Sequence, residues 1–489
     1  MTFRTLAAQL SSRLRGSPVL DANSPGYEES LKRWNAAMEK KAPIVVYATS
    51  AEDVGTVLKF RKEHKLDLAV CGGGHFAGAA SVTDSGISLN LSRLNYARVD
   101  AKKKEITVDG GTTAGAVARA AAEHQLAVVA GNVSLPGFAG VSLGGGYGAL
   151  TGQSGVMADQ VLSAEVVLAD GTIVTASPTK CPDLFWGLRG AGPMFGVVTQ
   201  LTVRLHQLHN NNAVFAGAIM FPTTRIQELL QVINRIAPDP IGRGSITLVL
   251  ASSPPTMTPM LIVSVLYDGT EDEAMTFLGA LYALGPQMQF TSMMPYEKAL
   301  TLVDWTAAMG KRQHMGSGIH RYPLALETLK WVIERHAEAC RRGDDGSSID
   351  AEVLFEFHQL DKVGKGPEVE SVFPRRGTAQ NVMVVSNHTH PSEDVVAARF
   401  VHDVVQYLWG QAAVEAYGFE VLDGVSGEED LGVYTGYNNN TMPVEQVFGS
   451  ARTEALRELK AKYDPENVFN KWYALDRNDE LGAPPQYRI

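Results

Sequence analysis

Between Pro43 and Val70 the chain alternates short β-branched runs with one helical stretch. PIVVYA (43–48) is apolar and branched at Cβ, which suits a strand. Ser50 then stands as an N-cap with Asp53 three positions on, the spacing of a capping box. Val54, Val57, Leu58 and Arg61 follow at helical intervals, the apolar members on one face. LDLAV (66–70) closes this strand–helix–strand unit. A second unit repeats the order, with EITVDGG (105–111) as strand, TAGAVARAAAEH (113–124) as helix and LAVVAG (126–131) as closing strand. VLSAEVVLADGTIVTAS (161–177) predicts a hairpin turning at Asp170-Gly171. From about residue 212 the texture changes. AVFAGAIMF (213–221), SITLVLAS (245–252) and MLIVSVLYDG (260–269) predict strands, and TTRIQELLQVINRIA (223–237) and EDEAMTFLGALYAL (271–284) predict helices. Glycine clusters become rare, and the pattern is that of an α+β unit with an antiparallel sheet. The tail ARTEALRELKAKYDPENVFNKWYALD (451–476) is an amphipathic helix stopped at Asp464-Pro465, followed by an aromatic segment.

The 489 residues suggest two or three domains at roughly 100–200 residues each. The changes of texture divide the chain into 1–210, 211–450 and a terminal segment 451–489. The net charge of −10, with no dense Lys/Arg block, argues against nucleic acid or an anionic membrane surface as partner. No apolar run approaches the ~18 residues of a membrane span. MTFRTLAAQLSSRLRGSPV (1–19) is expected to form an amphipathic first helix rather than a secretory signal, with an Arg/Ser-containing transit peptide as the alternative. Cys71, Cys181 and Cys340 are scattered and odd in number, which speaks against a disulfide framework or a zinc cluster. An intracellular, cytoplasmic location is the expectation.

Three glycine-rich loops compete for a ligand. RGAGPMFG (189–196) offers Gly-x-Gly, but a dinucleotide fingerprint opens a helix, and here Pro193 and the alternating VVTQLTVRL (197–205) predict a strand. No loop carries the Gly-Lys-Ser/Thr of a Walker motif. AVCGGGHFAGAA (69–80) and GNVSLPGFAGVSLGGGYG (131–148) are better suited to nests of backbone N–H groups that grip a diphosphate from two sides without a basic side chain. The plainer alternative is that these glycines only make tight turns. His75, in the middle of the first loop, then contacts the anion or a polar neighbour.

Taken together, GGGHFAGAA (72–80), GFAGVSLGGGYGALTGQSGVMADQV (137–161), DLFWGLRGAGPMFGVVTQLTVRL (183–205) and KYDPENVF (462–469) resemble the vanillyl-alcohol-oxidase/PCMH superfamily, in its berberine-bridge-enzyme-like branch. The resemblance covers almost the whole chain. It implies an α+β protein with a PCMH-type FAD-binding domain and a substrate domain whose antiparallel sheet is flanked by helices. It also implies that His75 carries the flavin covalently. Around it, the resemblance assigns Cys71, Gly72, Gly73, Gly74, Phe76 and Ala80 to the cofactor. From the second loop it adds Gly131, Asn132, Ser134, Pro136, Gly140 and Ser142. The following turn contributes Gly144, Gly145, Gly146, Tyr147 and Gly148. Asp159, Val161, Gly196, Val198, Trp472 and Tyr473 complete the set. Val133 stands where many relatives have a second tethering cysteine, so attachment through His75 alone is expected. Cys71 replaces a usual arginine, and Ala474-Leu475 replaces a usual Asn-Ile. Pro136, with Leu135 beside it, occupies the position that bears on oxygen access.

The implied activity is removal of a hydride from a C–H next to O or N of a small organic substrate, an alcohol or amine. O2 is the expected acceptor; a dehydrogenase with another acceptor and a non-redox cyclase are the alternatives. In EVLFEFHQL (352–360) the period of two puts Glu352, Leu354, Glu356 and His358 on one face. They offer a general base or form a solvent-facing stripe. In GVYTGYNNNT (432–441) Tyr437 matches a family position near the flavin, and Asn438 and Asn439 match a polar run. Tyr437 as a base needs its pKa lowered, and Arg375-Arg376 are candidates for the charge that lowers it, or a plain surface pair. HTH (388–390) as a metal pair is rejected, since no third ligand stands out and flavin oxidation needs no metal.

Overall fold

The computed structural model describes residues 1–239, 241–253, 258–341, 349–364, 370–417, 433–439 and 442–475. The first sheet holds β1 (Val19–Leu20), β2 (Ile44–Tyr47), β3 (Asp67–Cys71) and β4 (Gly86–Asn90) in the order β1-β2-β4-β3, the last three parallel. The helix Ala51–His64 connects β2 to β3, and Ser50 Oγ accepts from the Asp53 N–H at 3.1 Å. The capping box is only half formed. Asp53 is buried and its carboxylate accepts instead from Arg15 N–H (2.9 Å) and Ser17 Oγ (2.6 Å), fastening the N-terminal segment. Ahead of it, Phe3–Arg13 is the amphipathic helix, with Leu6, Ala7 and Leu10 inward.

The second sheet is antiparallel, in the order β5-β6-β9-β7-β8: β5 (Ala97–Asp100), β6 (Glu105–Asp109), β7 (Val161–Val167), β8 (Ile173–Ala176) and β9 (Val197–Arg204). β7 and β8 form the hairpin at Asp170-Gly171. The second strand–helix–strand unit is not what its pattern suggested. The helix Ala114–Ala122 forms, but 126–131 is no strand and makes a single bridge, Ala127 to His206. Residues 126–130 are buried, and the Val128 carbonyl accepts from the Tyr296 hydroxyl, so the apolar run serves as core filling.

The third sheet has seven antiparallel strands in the order β13-β10-β12-β11-β15-β16-β14. They are β10 (Ala213–Pro222), β11 (Gly244–Ser253), β12 (Thr258–Tyr267), β13 (Met288–Pro295), β14 (Arg312–His320), β15 (Asp350–Phe357) and β16 (Gln380–His388). One face packs on the helices Ile226–Ile236, Glu271–Ala283, Leu326–Ala339 and Asp394–Tyr417. Alternation fixes the other: Val353, Phe355 and Phe357 point to the helices, so Glu352, Leu354 and Glu356 point away from them.

The tail helix Ser450–Tyr463 returns to the first half of the chain, where Tyr463 and Lys462 both bond Asp183. Lys460 is buried behind it, and its ammonium bonds Asp464 and the carbonyls of Met194 and Phe469. The last part of the expected terminal segment, 476–489, lies outside the described residues.

Arg376 clamps the seam between the halves through a two-pronged pair with Asp159, 2.8 and 2.9 Å, both side chains nearly inaccessible. Removing one partner strands the other, and Arg376→Leu is expected to lower stability by about 3–5 kcal/mol. The midpoint of urea unfolding measures it. Adding Asp159→Asn should recover much of the loss, and an unchanged midpoint in the single variant would refute the clamp.

Candidate active site

A cavity of about 390 Å³ lies where the three sheets meet. β3 ends at Cys71 and delivers the 72–76 loop onto its floor, beside the segment from Pro136 to Gly140. The two loops meet backbone to backbone: a Cβ on Gly73 would sit 2.2 Å from the Gly137 nitrogen. Among the described residues nothing accepts from the N–H groups of Gly73, Gly74, His75 and Phe76. Four adjacent unspent donors facing a cavity suit an anion. A Cβ on Gly140 meets nothing within 4 Å and would enter the open space. These features fit the diphosphate of FAD.

Of the residues assigned to the cofactor, Gly72, Gly73, Gly74, His75, Phe76 and Ala80 line this cavity, as do Gly131, Asn132, Pro136 and Gly140. Gly144, Tyr147, Gly196, Val198 and Trp472 line it too. Others lie off the wall. Cys71 is buried behind the loop, with burial raising its thiol pKa. Ser134 gives its N–H and hydroxyl to Asp304 (2.7 and 2.6 Å), and Ser142 gives its hydroxyl to the Phe138 carbonyl. Gly145, Gly146 and Gly148 are turn and packing positions, where a Cβ would strike Phe373, Met157 and the Ala130 carbonyl. The N–H groups of Gly144 and Gly145 are spent on Val141 and Ser142. The Gly-Gly-Gly run makes a tight turn, with Gly144 at the cavity. Asp159 serves Arg376, Val161 opens β7, and Tyr473 packs edge-on against Trp472 and Phe448.

Burial pushes the His75 imidazole down to about 4, with Asp304 opposing weakly, so the ring is neutral near pH 7 and one nitrogen keeps its lone pair. Val133 lines the cavity. Leu135 is 38% exposed and turned away from it, so it does not narrow the space at Pro136. Lys471, paired with Asp67 at 2.6 Å, also lines the cavity, so a basic side chain does accompany the backbone donors.

On the substrate side the polar stripe of β15 is buried, which removes the solvent-facing alternative. Tyr437 donates its O–H to Glu356 Oε1 at 2.6 Å, while Asn381 Nδ2 donates to Oε2 at 3.0 Å and His358 Nε2 lies 3.3 Å from Oε2. Burial alone would raise the Glu356 carboxyl, yet these three partners hold it below the ordinary glutamate value of 4.5. Tyr437 moves the opposite way from a self-sufficient base: burial and the Glu356 charge raise its pKa well above 10. Arg375 and Arg376 do not help it, being neither beside it nor on the surface. Arg376 holds Asp159, and Arg375 is buried and donates to the Ala379 carbonyl. Tyr434 and Tyr147 pack edge to face behind Tyr437, and His358 stacks on Tyr147. Asn438 is buried beside the dyad without lining the cavity.

His388 and His390 are not a pair on one face, since β16 ends at His388 and His390 opens the next turn. The fold instead brings His314 and Asp394 to His388, with ligand atoms within 4.8 Å of one another. Arg312 grips both oxygens of Asp394, which leaves a cation little to bind. Sequence reasoning missed Trp34, Asp304, Asn381, Met315, Met383, Val385 and Thr435. The period of two in QNVMVVSNH (380–388) signals Asn381, Met383 and Val385 as one face; Trp34 and Asp304 carry no local signal.

A model described as FAD binding domain matches residues 42–177, and one described as berberine and berberine-like matches 433–472. The FAD-linked oxidoreductase pgmH of Aspergillus terreus is 28% identical over 96% of this chain and 95% of its own. The FAD-linked oxidoreductase hasG of Aspergillus fumigatus is 29% identical over 94% and 97%. Among solved structures, 6-hydroxy-D-nicotine oxidase from Arthrobacter nicotinovorans superposes with a TM-score of 0.79 at 23% identity, covering 95% of this chain and 98% of that one. Xylooligosaccharide oxidase from Myceliophthora thermophila gives 0.79 at 18%, covering 99% and 100%. Backbone donors on one wall, a buried acid–phenol dyad on the other, and matches at both ends of the site agree: the chain carries an FAD binding domain and a berberine-like segment, and over almost its whole length it is similar to FAD-linked oxidoreductases.

Proposed function

We propose that this protein oxidises a small organic alcohol or amine by hydride removal at the C–H next to O or N, with FAD tethered through His75 alone and O2 as the acceptor. The observation that carries the reading is the buried Tyr437–Glu356 hydrogen bond, set in the wall of a cavity whose other wall offers unspent backbone donors. Bound FAD supplies the hydride acceptor. The protein's residues supply proton handling and placement. Tyr437 oxygen accepts the proton of the substrate O–H or N–H while its own proton passes to Glu356 Oε1, so no free phenolate is required. His358 and Asn381 hold the carboxylate in position. We retain the division near residues 210 and 450 as part of this reading, along with an intracellular location; no helix among the described residues is long and apolar enough to cross a membrane. The oxidase names of the structural neighbours support O2 as acceptor.

Flavin should stay on the polypeptide after acid denaturation, fluorescing on a gel. His75→Ala should release it and Val133→Ala should not; release from the unmutated protein would refute the tether. Gly140→Val should lose flavin with the fold intact, whereas Gly145→Val should unfold the protein against Phe373. Circular dichroism and flavin absorbance separate the two outcomes.

Anaerobic bleaching of the flavin by alcohol and amine panels tests the reaction itself, and a cyclase would turn over without bleaching. Tyr437→Phe and Glu356→Gln should each slow bleaching by about 10²–10⁴-fold. With Glu356 held below its ordinary 4.5, the rate should stay level from neutral pH down to that region and fall only as the carboxylate protonates. A rate that climbs past pH 10 would show that a Tyr437 phenolate is needed.

Photoreduced enzyme mixed with air-saturated buffer should reoxidise within seconds. Reoxidation over many minutes would assign a different acceptor and make the protein a dehydrogenase.

A further inference from the structure

Glu352 lines the same cavity two residue rows along the sheet from the dyad. Its row runs across three strands: Glu352 faces Val385 on β16, and Val385 faces Met315 on β14. Leu354 and Met383 form the next row, and Glu356 with Asn381 the one after. Four residues at about 3.3 Å each separate the two glutamates by roughly 13 Å. The floor between them is apolar: Trp34, Met315, Met383, Val385 and Tyr437 pack as one cluster. Glu352 itself is 7% exposed, and among the described residues no donor bonds its carboxyl. The ammonium of Lys311 is paired with Asp350 at 3.6 Å instead. Burial, with Asp350 adding to it and the Lys311 charge opposing, pushes the Glu352 carboxyl up to about 7. A buried carboxyl without a donor is costly unless a partner arrives. At this place the space beside it is the cavity, so the partner is a ligand.

We infer that Glu352 determines substrate specificity by accepting a hydrogen bond from an O–H or N–H on a flat, apolar, ring-bearing substrate, roughly 10–13 Å from the carbon that is oxidised. The inference rests on the proposed function for one point, that the dyad marks the reacting end. The geometry selects for a molecule with an oxidisable C–H at one end, an apolar body of about two rings over Met383 and Val385, and a donor at the other end. A short substrate leaves Glu352 unpaired, and so does one whose far end only accepts hydrogen bonds once the carboxyl is ionised, above about pH 7; both are disfavoured there.

Three para-substituted biphenyl methanols, whose far ring carries a hydroxyl, a methoxy group or hydrogen, test this on the flavin-loaded protein. Dissociation constants come from the perturbation of flavin absorbance and tryptophan fluorescence, with flavin content and thermal midpoint measured alongside. In buffer well above pH 7, where Glu352 is ionised and can only accept, the hydroxyl compound should bind about 10- to 100-fold more tightly than the methoxy compound. Glu352→Gln should leave an intermediate ratio, and Glu352→Leu should bring it near one. A preference that survives Glu352→Leu, no preference in the unmutated protein, or no binding by any of the three would overturn the assignment. Tight, Glu352-dependent binding without bleaching would strike the proposed oxidation and leave this assignment standing. Bleaching with a ratio indifferent to Glu352 would do the reverse.

Discussion

The site depends on one contact between backbones. Gly73 and Gly137 touch with no room for a side chain on either, and through that contact the loop leaving β3 is laid against the segment that opens the helix Phe138–Leu143. Any Cβ there would push the two loops apart and separate the donors of 73–76 from the wall at Gly140. The Trp34 N–H reinforces the arrangement from outside by bonding the Gly74 carbonyl at 2.9 Å, which brings an aromatic ring to the cavity edge. Conformational freedom matters less here than the absence of atoms.

The seven-stranded sheet answers a second constraint, because it must be apolar on one face and chemically competent on the other. Alternation along β15 achieves both at once, with Phe355 and Phe357 seated among the helices while Glu352 lines the cavity and Glu356 stands behind its wall, bonded to Tyr437. A one-residue slip in the β15–β16 register would exchange these faces and bury two carboxyls among phenylalanines. The register is therefore held by the same apolar packing that stabilises the domain. Proton chemistry and core stability share one strand.

Local signals carried the fold well and the site unevenly. The strands with β-branched runs, the helix capped at Ser50 and the hairpin at Asp170-Gly171 were legible because each rests on neighbours within a few residues. The run 126–131 failed for the opposite reason: its apolar side chains answer to Tyr296 and the surrounding core, and periodicity cannot tell a buried strand from buried filling. In the site, the glycine loop that brings His75 to the cavity was legible as a loop after a strand through its composition. Asp159 and the Gly145-Gly146 turn, which the resemblance assigns to the cofactor, sit against Arg376, Phe373 and Met157, neighbours that no local pattern reveals. Trp34, Asp304 and Asn381 reach the site through tertiary structure alone, across separations no window spans.

The electrostatics of the cavity follow from where the fold places hydrogen-bond donors, more than from where it places charges. Glu356 and Glu352 are the same residue type, on one strand, on one face and both buried. Three partners surround Glu356, and its carboxyl is held below the ordinary range; among the described residues no donor bonds Glu352, and its carboxyl is pushed up to about 7. Burial acts on both, so the difference lies in the partners, and the partners are set by position along β15. Tyr437 and Asn381 arrive from the later segment and from β16 at the row of Glu356, whereas on the β16 and β14 side the row of Glu352 meets the apolar Val385 and Met315. The fold thereby makes one carboxylate a fixed proton acceptor and leaves the other to be completed by whatever enters the cavity.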